Sequence, residues 1–132
     1  MLHARADRAL RLVVGKELEQ FKVTMMEWLL LGVVVGGPDN GMSMSAIAHT
    51  LDVTLPQVTA LVSNLLHQKL VRQKTQVHDR RSRHVTATAR GKVLLTDMEQ
   101  SINTTMRTWI KDVPREELHI YLKTVKLLAN QA

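Results

Sequence analysis

Arg80, Arg81 and Arg83 fall within four residues, preceded by Asp79, interrupted by Ser82 and flanked by His78 and His84. A guanidinium forks onto phosphate oxygens or enters a narrow minor groove, so three of them on a short connection make a polyanion contact. A different chemistry lies upstream. Between Val53 and Gln68 there is no Lys or Arg, but Pro56, Gln57, Thr59, Ala60, Ser63, Asn64 and His67 share one side of a helical repeat. The amides of Gln57 and Asn64 can pair with adenine N6 and N7, and Pro56, Thr59 or Ala60 can touch thymine methyls, a set that favours A·T pairs. Gln57 can equally serve only to cap its helix, and Ser63 and Asn64 can be no more than a solvated face. Arg72, Lys74 and the helix start at Ser45 add phosphate clamps. His67 and His78 are further candidates for a phosphate contact.

The charge distribution agrees. Residues 42–93 hold eight Lys/Arg against Asp52 and Asp79, whereas outside them ten basic residues balance ten acidic ones, so the whole formal charge of +6 falls in this segment. That is the footprint of a nucleic-acid contact.

The elements that must position these groups are mostly helices. Residues 4–20 carry Ala6, Leu10, Val13, Val14 and Leu18 at helical spacing. Thr24 and Glu27 form a capping box before the apolar run 28–35, which ends at the turn formers 36–41. Ser43 or Ser45 caps a short helix to Leu51, and Asp52 and Val53 make the turn. Thr54 caps the next helix, with Pro56 in its first turn and Val58, Leu61, Val62 and Leu65 facing inward. Residues 71–77 and 84–88 read as two strands joined by the basic tip. A long helix follows from Thr88 towards Ile110, Pro114 breaks it, and residues 116–130 form the last helix, with Leu118, Tyr121, Leu122, Val125 and Leu128 as its stripe.

The expected fold is mainly α (α+β), a winged helix-turn-helix over residues 42–93 within a single domain spanning 1–132. The helices at about 1–22 and 98–132 have apolar stripes that need a partner, which makes them dimerisation helices. With no glycine-rich phosphate loop, no nucleophile paired with a base and no metal-ligand set, the chain is not expected to be an enzyme, to bind a metal or to carry a cofactor. The absence of cysteine excludes disulfides and thiolate chemistry. Four aromatics are too few for a single-strand stacking platform. The longest apolar run is too short to span a bilayer and the start does not read as a secretory signal, so the cytoplasm is the expected compartment.

In order, residues 23–28, 45–53, 58–65, Leu70-Val71-Arg72, Asp79-Arg80-Arg81 and Thr88-Ala89-Arg90-Gly91 resemble the MarR family of bacterial transcriptional regulators. The resemblance covers residues about 23–95, with compatible helices on both sides. It implies a homodimer that binds a pseudo-palindromic double-stranded operator, usually as a repressor relieved by a small aromatic or phenolic ligand. It also implies that Asp79 pairs with Arg81 and stiffens the wing, leaving Arg80 and Arg83 for DNA. Two positions depart from the pattern: Lys69 stands where the family usually has glycine, and Ala60 where many members carry a longer polar side chain. An effector pocket is expected where the dimerisation helices meet the winged unit, lined by Met25, Met26, Trp28 and Trp109, although the same stripe can simply be core. The rival reading is a winged-helix protein-interaction module, antirepressor-like, for which the neutral recognition helix and Ala60 leave room.

Overall fold

The computed structural model describes residues 2–76, 79–111, 114–117, 119, 120 and 123, with the side chains of 2–7, 10, 76, 79–82 and 109 outside that description. Five helices and three strands follow in the order α1 (Leu2–Glu19), α2 (Met25–Gly36), β1 (Met42–Ser43), α3 (Met44–Leu51), α4 (Leu55–His67), β2 (Val71–Gln76), β3 (Asp79–Ala87) and α5 (Ala89–Ile110). Residues 115–117, 119, 120 and 123 are again helical. The apolar stripe expected on that last helix, from Leu118 to Leu128, lies outside the described residues. This is a mainly helical winged helix-turn-helix.

Helix α2 is the centre of the molecule. It starts in a full capping box, Thr24 Oγ1 accepting from the Glu27 N–H at 3.2 Å while Glu27 Oε1 accepts from the Thr24 N–H at 3.0 Å. That return bond lets a carboxylate sit only 4% exposed at the edge of the core. The apolar residues that follow run round the whole helix, because α1, α3, α4, α5 and β3 all pack on it. Leu30, Leu31, Ile47, Val58, Leu65, Leu70, Val85 and Met98 form the buried middle of one continuous core.

The sheet is antiparallel with order β1-β3-β2. Two expectations need correcting here. Strand β3 begins at Asp79, not His84, so Asp79, Arg80, Arg81, Ser82 and Arg83 belong to a strand and not to a hairpin tip. Pairing jumps from Thr75↔Arg83 to Gln76↔Asp79, which leaves residues 80–82 as extra length on β3. Strand β1 is also new. Its two residues pair as Met42↔Val85 and Ser43↔His84, and so stitch the start of α3 to the wing. Gly41 permits that approach: its φ is +93°, and a Cβ there would meet Val85 O and Thr86 Cγ2 at 2.8 Å.

Helix α5 docks onto the exit of α4 through Gly91, where a Cβ would lie 2.1 Å from the Leu70 carbonyl oxygen. A backbone oxygen cannot swing aside. Gly91→Ala is therefore expected to destabilise by about 2 kcal/mol or more, as overpacking does. Gly32→Ala, where nothing lies within 4 Å of the added carbon, is expected to stabilise by about 0.5–1 kcal/mol through helix propensity. Paired denaturant melts of the two variants check both signs.

Along the α1–α5 seam, Val14 and Leu18 are buried with Leu95, Met98 and Ile102, and a polar cluster closes the edge. Ser101 Oγ donates to Glu17 Oε1, and Gln20 Nε2 donates to both Glu17 Oε1 and Ser101 Oγ at 2.9 Å. These bonds, Ser101 first and then Thr105, hold the Glu17 carboxyl below its ordinary value of 4.5 against a smaller opposing effect of desolvation. A lowered acid pKa contributes stability above the ordinary value and loses it as pH falls through the folded one. Ser101→Ala is thus expected to destabilise near neutrality and to differ progressively less from the parent as pH falls below about 4, read by thermal melts across that range.

Candidate nucleic-acid interface

Three pieces make the surface: the start of α3, the outer face of α4, and the wing. Helix α3 is capped by Ser43, whose Oγ accepts from the Ala46 N–H at 3.1 Å, so Ser45 lies one residue inside the helix, exposed. It ends at Asp52, which takes a left-handed conformation (φ 55°) and turns the chain sharply into α4. Buried Ile47 and Ala48 hold α3 against the core.

Helix α4 then starts in a second capping box. Thr54 Oγ1 accepts from the Gln57 N–H at 3.3 Å, and Gln57 Oε1 accepts from the Thr54 N–H at 2.9 Å and from the Thr54 hydroxyl at 3.1 Å. Burial of Val58, Val62 and Leu65 fixes the helix in rotation, with Leu61 half-buried. The opposite face is therefore open along its length: Pro56, Gln57, Thr59, Ala60, Ser63, Asn64 and His67 are all exposed. The Thr59 hydroxyl donates back to the Leu55 carbonyl at 3.0 Å, which leaves a methyl and oxygen lone pairs facing outward chemistry. Ser63 and Asn64 make no side-chain hydrogen bond among the described residues. Leu55, about half exposed at the first position of α4, joins this surface. Its spacing three residues before Val58 puts it in phase with the core stripe, so periodicity alone assigns it inward.

On the wing, strand alternation buries Val71 and leaves Arg72 and Lys74 exposed, while on β3 Val85 is buried and Arg83, in phase with it, is exposed. Arg72 pairs across the ladder with Thr86 and Lys74 with His84. The side chains of Asp79, Arg80 and Arg81 fall outside the described residues, and so does His78 altogether, so the expected Asp79–Arg81 pairing is one of those features. Strand β1 ties the α3 cap to His84 of the wing. The backbone thus brings Ser45, the α4 face and the β2–β3 ladder into one connected unit.

Of the expected effector-pocket residues, Met25, Met26 and Trp28 line neither of the two hollows described below. Met25, Met26 and Trp28 are half-buried, with Met25 and Trp28 packed on the core, and the Trp109 side chain lies outside the described residues. Two open hollows occur elsewhere. One of about 330 Å³ is lined by Glu17, Asp97, Gln100, Ser101, Thr104 and Thr105, and one of about 340 Å³ by Ala89, Arg90, Val93, Leu94 and Asp97. Both are shallow.

Comparison with known proteins places this geometry. The sequence model of the MarR family matches residues 21–82, from the turn before α2 into the wing. A transcriptional regulator (MarR family) from Rhodococcus sp. RHA1 shares the fold with a TM-score of 0.83 at 20% identity, over 99% of this chain and 91% of that one. The MepR–DNA complex of Staphylococcus aureus gives a TM-score of 0.82 at 21% identity, over 99% and 96%. CouR from Rhodococcus jostii RHA1, solved bound to p-coumaroyl-CoA, gives 0.78 at 21%, over 97% and 89%. Residues 21–82 thus match the MarR family in sequence, on a fold that the chain shares with solved MarR-family structures along nearly its whole length.

Proposed function

We propose that the protein is a sequence-specific, double-stranded DNA-binding transcriptional regulator that acts in the cytoplasm as a homodimer on a pseudo-palindromic operator, as a repressor released by a small aromatic or phenolic ligand. The observation that carries this reading is the open, uncharged donor and acceptor face of α4 beside a cationic wing. A neutral face lacks the charge attraction to phosphate but carries the donors and acceptors that read base edges in a major groove. Arg72, Lys74 and Arg83, with Arg80 and Arg81 on the same strand, supply the sequence-independent attraction. That a fold relative was solved on DNA and another on a phenolic thioester supports both halves of the proposal. The half-buried Met25, Met26 and Trp28 are the apolar surface offered to the ligand.

Dimerisation through α1 and the C-terminal helix is supported by exposed apolar side chains there, Leu12 at 74% and Ile120 at 66%. Sedimentation should give twice the 14.9 kDa chain mass, and Leu12→Asp is expected to shift it towards monomer without unfolding the winged unit. A concentration-independent monomer for the parent chain would remove the dimer from the account.

Fluorescence anisotropy of a labelled duplex from the protein's own upstream region, set against a scrambled duplex at two salt concentrations, tests the function. The expected result is tight binding that scrambling abolishes and salt weakens steeply. Arg72→Ala should weaken binding to every sequence alike and reduce the salt slope by about one unit. Absence of binding at low salt would favour the protein-interaction module, which a neutral α4 also suits.

A further inference from the structure

We infer that Gln57 reads a guanine and not an adenine, because the fold has already used its carbonyl. The inference rests on the DNA-reading role proposed above and specifies the base at one operator position. An amide oxygen has two lone pairs, and Gln57 Oε1 accepts two bonds, from the Thr54 N–H at 2.9 Å and the Thr54 hydroxyl at 3.1 Å. The amide cannot be turned over, since its NH2 group would then face a backbone N–H. What remains for a partner is Nε2 with its two hydrogens, on an exposed residue in the first turn of α4, with no partner among the described residues. The first turn of a recognition helix is the part that meets base edges.

The four bases answer such a donor-only group differently. Adenine presents one acceptor and one donor and uses both ends of an amide in its bidentate pair, whereas guanine presents two acceptors, N7 and O6. Cytosine offers only a donor, and thymine a single acceptor beside a methyl. To pair with adenine in the usual bidentate way Gln57 must leave the capping box, a loss worth roughly fivefold in binding. Asn64 is seven residues on, two helical turns away, exposed and without a side-chain partner among the described residues, so it keeps both amide ends for adenine. Each half-site then carries guanine opposite the first turn of α4 and adenine towards its C-terminal half. The expectation of an A·T-rich contact narrows to the Asn64 end.

Selection from a randomised duplex pool by the full chain and by Gln57→Glu tests this. Glutamate keeps the capping box, as Glu27 does at the same position of α2, but removes both donors. The parent should enrich one guanine per half-site. The variant should melt like the parent, lose that guanine by about tenfold or more, turn towards cytosine there, and leave the other positions unchanged. A consensus in which no guanine position responds to the substitution, or in which the responding position is adenine, overturns the assignment to Gln57 alone. Enrichment of no sequence by either protein overturns the DNA-reading role beneath it.

Discussion

Two neighbouring carbonyls hold the working parts of this molecule together. Lys69 O accepts from the Thr88 hydroxyl at 2.8 Å, and Leu70 O accepts from the Thr88 N–H at 3.1 Å while lying against Gly91. At this one point the exit of α4, the start of β2, the end of β3 and the start of α5 meet. Lys69 must adopt a left-handed φ of 61° to present its carbonyl there. Thr88 in turn caps α5, its Oγ1 accepting from the Gly91 N–H at 3.0 Å, so one hydroxyl both starts the long helix and fixes it to the reading unit. The joint ties α5 to the exit of α4 through backbone groups in close contact, which leave little room for one to shift against the other.

The same economy appears at the other end of α4. Thr54 and Gln57 satisfy the helix's first free N–H groups and also stand on the exposed surface proposed to face DNA. Folding and recognition therefore draw on the same atoms: a group spent on the cap changes what the helix can say to a base. The Thr59 hydroxyl, bonded back to Leu55, is a smaller case of the same constraint.

Local chemistry was the part most legible in the sequence. Both capping boxes are read from residue type and a spacing of three, and both are present. The inward stripe of α4 follows from periodicity, and the left-handed bend at Lys69 follows from the place where the family has glycine. Pairing between distant segments was less legible. Strand β1 is two residues long and exists only because β3 lies beside it, which no local pattern encodes. Polar Asp79 to Ser82 do not resemble a strand, yet they extend β3, with Asp79 paired to Gln76 and 80–82 as extra length between the pairs. Left-handed Lys22 and Asp52 were also hidden, since neither is glycine and both are set by the elements they join.

Amide hydrogen exchange of the full chain, with and without a duplex from its own upstream region, tests the central claim most directly. If α4 enters a major groove and the wing rests on the flanking backbone, added protection concentrates at the start of α3, the first turns of α4 and strands β2 and β3, with the middle of α5 unchanged. Protection confined to α1 and the C-terminal helix, or none at saturating duplex, would contradict the assignment of this face to DNA.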